Sequence, residues 1–277
     1  DNDGTGKDAS YGLDEVEVNF LFNVGSVSGE LHVDSAAAGA TGGDSLDIEQ
    51  AHFTYSLENG ISVTVGRYGS ALGLEREDPA GLYTFSRAYS SEFNFGDIDN
   101  GQVHEGLRIS YAADAWSLGV SIDNPAGSIR SSNKKNDLDF EVALAYTGIE
   151  NLSVGIGHRA DNEITATPST DADITNINAT YQVGKALLGA EWSQIDTASA
   201  DLDAHMFLVD YDVSDKLGVA VRYSSYEASV GKDVDQITIA PNYAITDSLG
   251  AILEYSDVSR DTAGLAGNSN DSDTIAL

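Results

Sequence analysis

Five histidines, His32, His52, His104, His158 and His205, are the first candidates for chemistry in this chain. None has the His-x₃-His spacing that brings two imidazoles onto one metal. With no cysteine there is no thiolate zinc site, no thiol nucleophile and no disulfide framework. The opening DNDGTGKD offers Asp1 and Asp3 at the spacing of a calcium loop, but Gly12 stands where the closing bidentate Glu belongs. Acidic connecting segments could still hold Ca²⁺ through carboxylate and carbonyl oxygens, and a solvated acidic surface is the simpler reading. A second concentration of charge lies between residues 68 and 101, which hold Glu75, Arg76, Glu77, Asp78, Arg87, Glu92, Asp97 and Asp99. A third is spread along the chain: Arg108, Arg159 and Arg222 recur among Glu15, Glu17, Glu30, His52, Asp139, Glu141, Glu191, Asp210 and Glu254. What these can do depends on the elements that carry them.

Those elements are strands. Apolar residues alternate with polar ones almost throughout, as in Val16, Val18, Phe20 and Phe22 against Glu15, Glu17 and Asn19. Further sets are Phe207, Val209, Tyr211 and Val213, then Leu217, Val219, Val221 and Tyr223. The pattern predicts about 14 strands, with one more starting near Asp273. No run approaches the roughly 18 apolar residues of a transmembrane helix, whereas a transmembrane strand needs only alternation. The chain has 277 residues, with 45 acidic against 14 basic side chains and a net charge of −31. Nucleic acid is excluded as a partner, because phosphate affinity needs clustered Lys and Arg.

The connections are sorted by parity. Short links at residues 23–26, 58–60, 112–115, 148–151, 184–186, 214–216 and 244–248 alternate with longer ones at 35–45, 68–101, 125–136, 160–171, 196–201, 227–232 and 259–271. All tight turns therefore fall at one end of the sheet and all long loops at the other. This is the asymmetry of outer-membrane barrels, with short periplasmic turns and long extracellular loops. The fold class expected is all-β: a transmembrane antiparallel up-and-down β-barrel forming one domain over residues 1–277. Its odd strand count predicts a missing first strand, trimmed ends and roughly 16 strands when intact. A barrel of that size encloses an aqueous channel. By parity the three arginines and their acidic neighbours line the lumen wall. They either set a transverse field across the channel or form structural ion pairs. A barrel phospholipase would need a Ser near a lipid-facing His. His158 has that parity but is flanked by Ile156 and Ala160, so the chain is expected not to be an enzyme.

Residues 49–75, EQAHFTYSLENGISVTVGRYGSALGLE, and YTFSRAY at 83–89 carry a family resemblance. They are similar to the β-barrel porins of the OmpL-like (porin-2) type from the Gram-negative outer membrane. The matching features are an Asn-Gly turn, a strand ending in Gly66, Arg67 and Tyr68, a loop start with Leu72, Gly73 and Glu75, and a Tyr-x-Phe-Ser-Arg segment. The specific likeness covers about forty residues, and the rest agrees in strand pattern. It implies a channel for passive diffusion of ions and small hydrophilic solutes, without a cofactor. Likeness to general porins further implies that loop 68–101, the third extracellular one, folds inward as a pore constriction. The other arrangements are a loop over the mouth or against a neighbour. Acidic excess predicts weak cation selectivity. Outer-membrane lipid and lipopolysaccharide are the expected surroundings, and a homotrimer is common at this size, with a monomer left open. The alternative function is a structural or adhesive surface barrel with a blocked lumen.

Overall fold

The structure, a computed structural model, describes residues 15–36, 46–75, 82–89, 103–124, 138–161, 172–197, 201–229, 232–262 and 272–276. Sixteen strand segments form one antiparallel sheet. They are β1 (Glu15–Val24), β2 (Val27–Ala36), β3 (Leu46–Ser56), β4 (Ile61–Gly69), β5 (Val103–Ala112), β6 (Trp116–Asp123), β7 (Asp139–Ile149) and β8 (Leu152–Asp161). There follow β9 (Ala172–Val183), β10 (Ala186–Thr197), β11 (Asp201–Asp212), β12 (Leu217–Ala228), β13 (Lys232–Thr246), β14 (Leu249–Ile252), β15 (Glu254–Thr262) and β16 (Ser272–Ala276). Each pairs with its sequence neighbour, except that β14 and β15 lie end to end along β13, separated by Leu253. Among the described residues no ladder joins β1 to β16.

Turn chemistry explains the tight end. Gly25, Gly60 and Gly184 have positive φ, as does Asn151, and these are the residues that tolerate left-handed backbone. At Gly60 a Cβ would also collide with the carbonyl oxygen of Ala112 on the next hairpin. The opposite end corrects one expectation. Only residues 198–200 separate β10 from β11, and only 229–231 separate β12 from β13. These links keep their parity but are not long, because the strands run past the apolar pattern. Backbone pairing continues where outward positions have turned polar, as at Glu227, Asp235 and Asp257.

One face of the sheet is apolar and exposed. Val18, Phe20, Phe53, Ile109, Phe207, Ile237 and Ile239 are among its side chains. Tyr55, Tyr111, Trp116, Tyr181, Tyr211 and Tyr243 are exposed on the same face close to the tight turns, where amphipathic rings suit a headgroup level. Higher up, the Tyr223 hydroxyl donates to Asp235 at 2.5 Å, marking where the apolar band gives way to water. Among the described residues no helix is long and apolar enough to cross a membrane, so any crossing is made by strands. The opposite face is largely polar yet buried. Arg159 and Arg222 are 1% and 0% exposed, and Thr238, Ser193 and Asn176 are as deep.

Candidate channel lining

The inner face is buried because the chain after β4 folds onto it. Residues 70–75 and 82–89 run across the sheet, and wall side chains receive their backbone. Backbone N–H groups away from water need acceptors, and the wall supplies carboxylates. The Ser70 hydroxyl donates to Glu141 at 2.7 Å and the Ala71 N–H at 3.0 Å. The Gly73 N–H reaches Asn176 Oδ1 at 3.3 Å, and the Leu74 N–H reaches Glu191 at 2.7 Å. The Phe85 and Ser86 N–H groups donate to Glu254 at 2.7 and 3.0 Å. The segment therefore touches β7, β9, β10 and β15 in turn.

Arg222 on β12 fastens its middle. The guanidinium donates to Glu75 at 2.9 and 3.0 Å, to Thr84 Oγ1 at 2.8 Å, to the Ser86 carbonyl at 2.6 Å and to Ser86 Oγ at 2.8 Å. Glu75 in turn accepts the Ala88 N–H at 2.5 Å, so the two halves of the segment are tied through one carboxylate. Apolar contacts reinforce this. Leu72 packs with Ala172, Ile174 and Ile195, and Ala88 with Met206, Leu208, Ala220 and Ala240. Gly157 on the wall leaves the space that Leu72 fills, since a Cβ there would overlap its Cδ2. Tyr83, further along, lies half-exposed. Burial, then the nearby Asp210 and Asp212 carboxylates, push its phenol above the usual tyrosine range.

A second cluster surrounds Arg159 on β8. It pairs with Asp123 and Asp139 at 3.2 Å each, with Glu141 at 3.8 Å, and with Asp161. Arg108 pairs with Glu141 at 3.0 Å, donates to the Gly69 carbonyl at 2.9 Å and lies 4.4 Å over the Tyr68 ring. The Tyr68 hydroxyl donates to Asp123 at 2.5 Å. All three wall arginines expected from parity are on the inner face, and each is engaged with carboxylates. Glu141, Glu191 and Glu254 are there too, as acceptors for the crossing segment. Glu17 faces inward beside His32 at 3.1 Å, while Glu15 enters the sheet through its backbone, opposite Ala36. Arg87 is half-buried on the crossing segment. Arg76, Glu77, Asp78, Glu92, Asp97 and Asp99 lie outside the described residues. Parity reasoning passed over Ser70, Asn176, Thr84 and the apolar seats Ile174, Ile195, Met206 and Leu208. The signal was present, because these four occupy positions on the polar side of their strands.

The family described as "Putative beta-barrel porin-2, OmpL-like" matches residues 8–277. A search of curated proteins by sequence finds no match. Several solved structures are similar. The outer membrane channel DcaP of Acinetobacter baumannii has a TM-score of 0.70 at 16% identity, over 94% of this chain and 82% of that one. An anion-selective porin from Comamonas acidovorans has 0.69 at 14% identity, over 94% and 83%. The trimer form of OmpT, an outer membrane protein of Vibrio cholerae, has 0.59 at 18% identity, over 95% and 92%. At such identities the likeness speaks for the fold, an outer-membrane porin barrel of antiparallel up-and-down strands.

Proposed function

The chain belongs to the OmpL-like porin-2 family of outer-membrane β-barrels, and from that premise we propose that it forms a water-filled channel, narrowed from within, for passive diffusion of ions and small hydrophilic solutes. The observation that carries this reading is the crossing segment itself, residues 70–75 and 82–89, hydrogen-bonded to the inner wall rather than laid over the rim. A segment so placed reduces the bore without adding a chemical step, and the reading is of a channel, not an enzyme. Within loop 68–101, the described residues 70–75 and 82–89 are then the constriction. The whole of 1–277 acts as one barrel. The channel is weakly cation-selective, since its wall arginines are already paired and further carboxylates remain.

The outward apolar face meets outer-membrane lipid, with lipopolysaccharide at the upper rim. The barrel assembles as a homotrimer, as the OmpT trimer form of like fold does. No cofactor is assigned. Ca²⁺ at the acidic connecting loops is tested by melting the protein in EDTA, and an unchanged melting temperature removes it. The deciding experiment for the channel is single-channel recording of the refolded protein in a planar bilayer. Stepwise openings are expected. A silent bilayer with intact barrel circular dichroism would instead favour a structural or adhesive barrel whose lumen the crossing segment blocks.

A further inference from the structure

The inner wall at β1, β2 and β3 carries a group that the crossing segment does not explain. The ladder sets Asn19 opposite His32 and Glu30 opposite His52. Between β2 and β3 the register shifts: His32 pairs with Gln50, but Val33 pairs with Ile48, so Glu49 is an extra residue. A bulge of this kind re-aims a side chain that strict alternation would send to the other face. Here it brings the Glu49 carboxylate to 4.0 Å from His32 Nδ1. The same Nδ1 lies 3.1 Å from Glu17, and His32 Nε2 lies 3.2 Å from Glu30. One ligand atom each from Glu17, His32 and Glu49 falls within 4.8 Å of the others, and all three residues are half-buried.

Proton bookkeeping makes this arrangement informative. A neutral imidazole has one N–H and one lone pair. If Nε2–H donates to Glu30, the Nδ1 lone pair faces two carboxylates, acceptor against acceptors, and a cation must lie between them. The spacing suits a metal. Ligand atoms about 2.0–2.2 Å from a tetrahedral ion are about 3.4 Å apart, and 3.1 and 4.0 Å fall on either side of that. An imidazole nitrogen favours a first-row transition ion over Ca²⁺ or Mg²⁺, which prefer all-oxygen shells. Glu30 on the far nitrogen is the carboxylate that fixes tautomer and ring orientation at such sites.

We propose that Glu17, His32 and Glu49 form a lumenal site for a divalent first-row transition ion, with Glu30 as the positioning residue. The test is calorimetric titration of Zn²⁺, with Ca²⁺ in parallel, into the full folded chain in detergent after chelator treatment. One saturable Zn²⁺ site is expected. It should weaken about tenfold or more in His32→Ala and in Glu49→Gln, and stay unchanged in His158→Ala, whose ring lies on the outer face. If His32→Ala loses its heat-modifiable barrel mobility, Glu17→Gln carries the same expectation. Absence of a saturable site, parental Zn²⁺ affinity in the folded variants, or equal affinity for Ca²⁺ overturns the proposal. The titration requires no conduction, so its failure leaves the channel reading untouched.

Discussion

Glu75 is the residue on which the crossing segment turns. Its carboxylate answers the Arg222 guanidinium, which has no exposure, and also takes the Ala88 N–H. Glu75→Gln keeps the shape but leaves a buried cation without its counter-charge, a loss of roughly 3–5 kcal/mol for a broken buried pair. The expected outcome is a detached segment, with larger or noisier single-channel currents and a lower urea midpoint. Parental conductance and noise would show that Arg222 is held by Thr84 and Ser86 alone. Much of this chemistry was legible in the sequence at the level of which side a residue faces. Alternation put Arg159, Arg222, Glu141, Glu191 and Glu254 on the inner wall. It could not say that Arg159 would be ringed by Asp123, Asp139, Glu141 and Asp161, because parity gives the face of a sheet and not the height of a residue across neighbouring strands. That height depends on register, which here follows from turns such as Gly184–Lys185 and from the bulge at Glu49.

At the scale of the strand, the outer face makes a direct prediction. Ile239 on β13 is exposed and lies within the apolar band, below Asp235. Ile239→Arg should cost about 2–4 kcal/mol in folding into lipid vesicles, whereas Asp257→Arg, near the top of the band, should cost only about 0–1 kcal/mol. Urea titration of vesicle-folded protein reads both, and equal costs would mean that the band has been placed wrongly. The inner face makes another. Gly157→Val puts side-chain atoms where Leu72 sits, at an overpacking cost of about 1–3 kcal/mol. Leu72 is then displaced from Ala172, Ile174 and Ile195, and the expected reading is a changed conductance with the barrel's SDS resistance retained. An unaltered channel would show that the segment stays in place without this contact. The apolar seats for Leu72 and Ala88 were visible as Ile174, Ile195, Met206 and Leu208 at polar-side positions. Their meaning was not, because an apolar residue facing a lumen acquires a partner only when a distant loop arrives.

For the whole molecule the decisive quantity is what remains of the charge once internal pairs are counted. Arg108, Arg159 and Arg222 are each closed off by carboxylates, and around Arg159 the acids outnumber the cations. On the β1–β3 side Glu17, Glu30 and Glu49 face inward beside His32 and His52. Among the described inner-face side chains the carboxylates outnumber the arginines, and a negative residual field is the expected consequence. Carboxylates in a narrow aqueous passage raise the local cation concentration, and salt screens this over about 10 Å at 0.1 M but only about 3 Å at 1 M. The porin of like fold from Comamonas acidovorans is anion-selective, so the fold by itself does not predict the sign expected here. Reversal potentials in a KCl gradient should favour K⁺ at low salt, and the preference should shrink as both compartments are raised toward 1 M. Neutralising the β1–β3 side with Glu17→Gln and Glu30→Gln together should weaken the preference at low salt and leave barrel stability little changed. A Cl⁻ preference in the parent would overturn the cation-selective reading, and a double variant that selects as strongly as the parent would show that Glu17 and Glu30 do not set it.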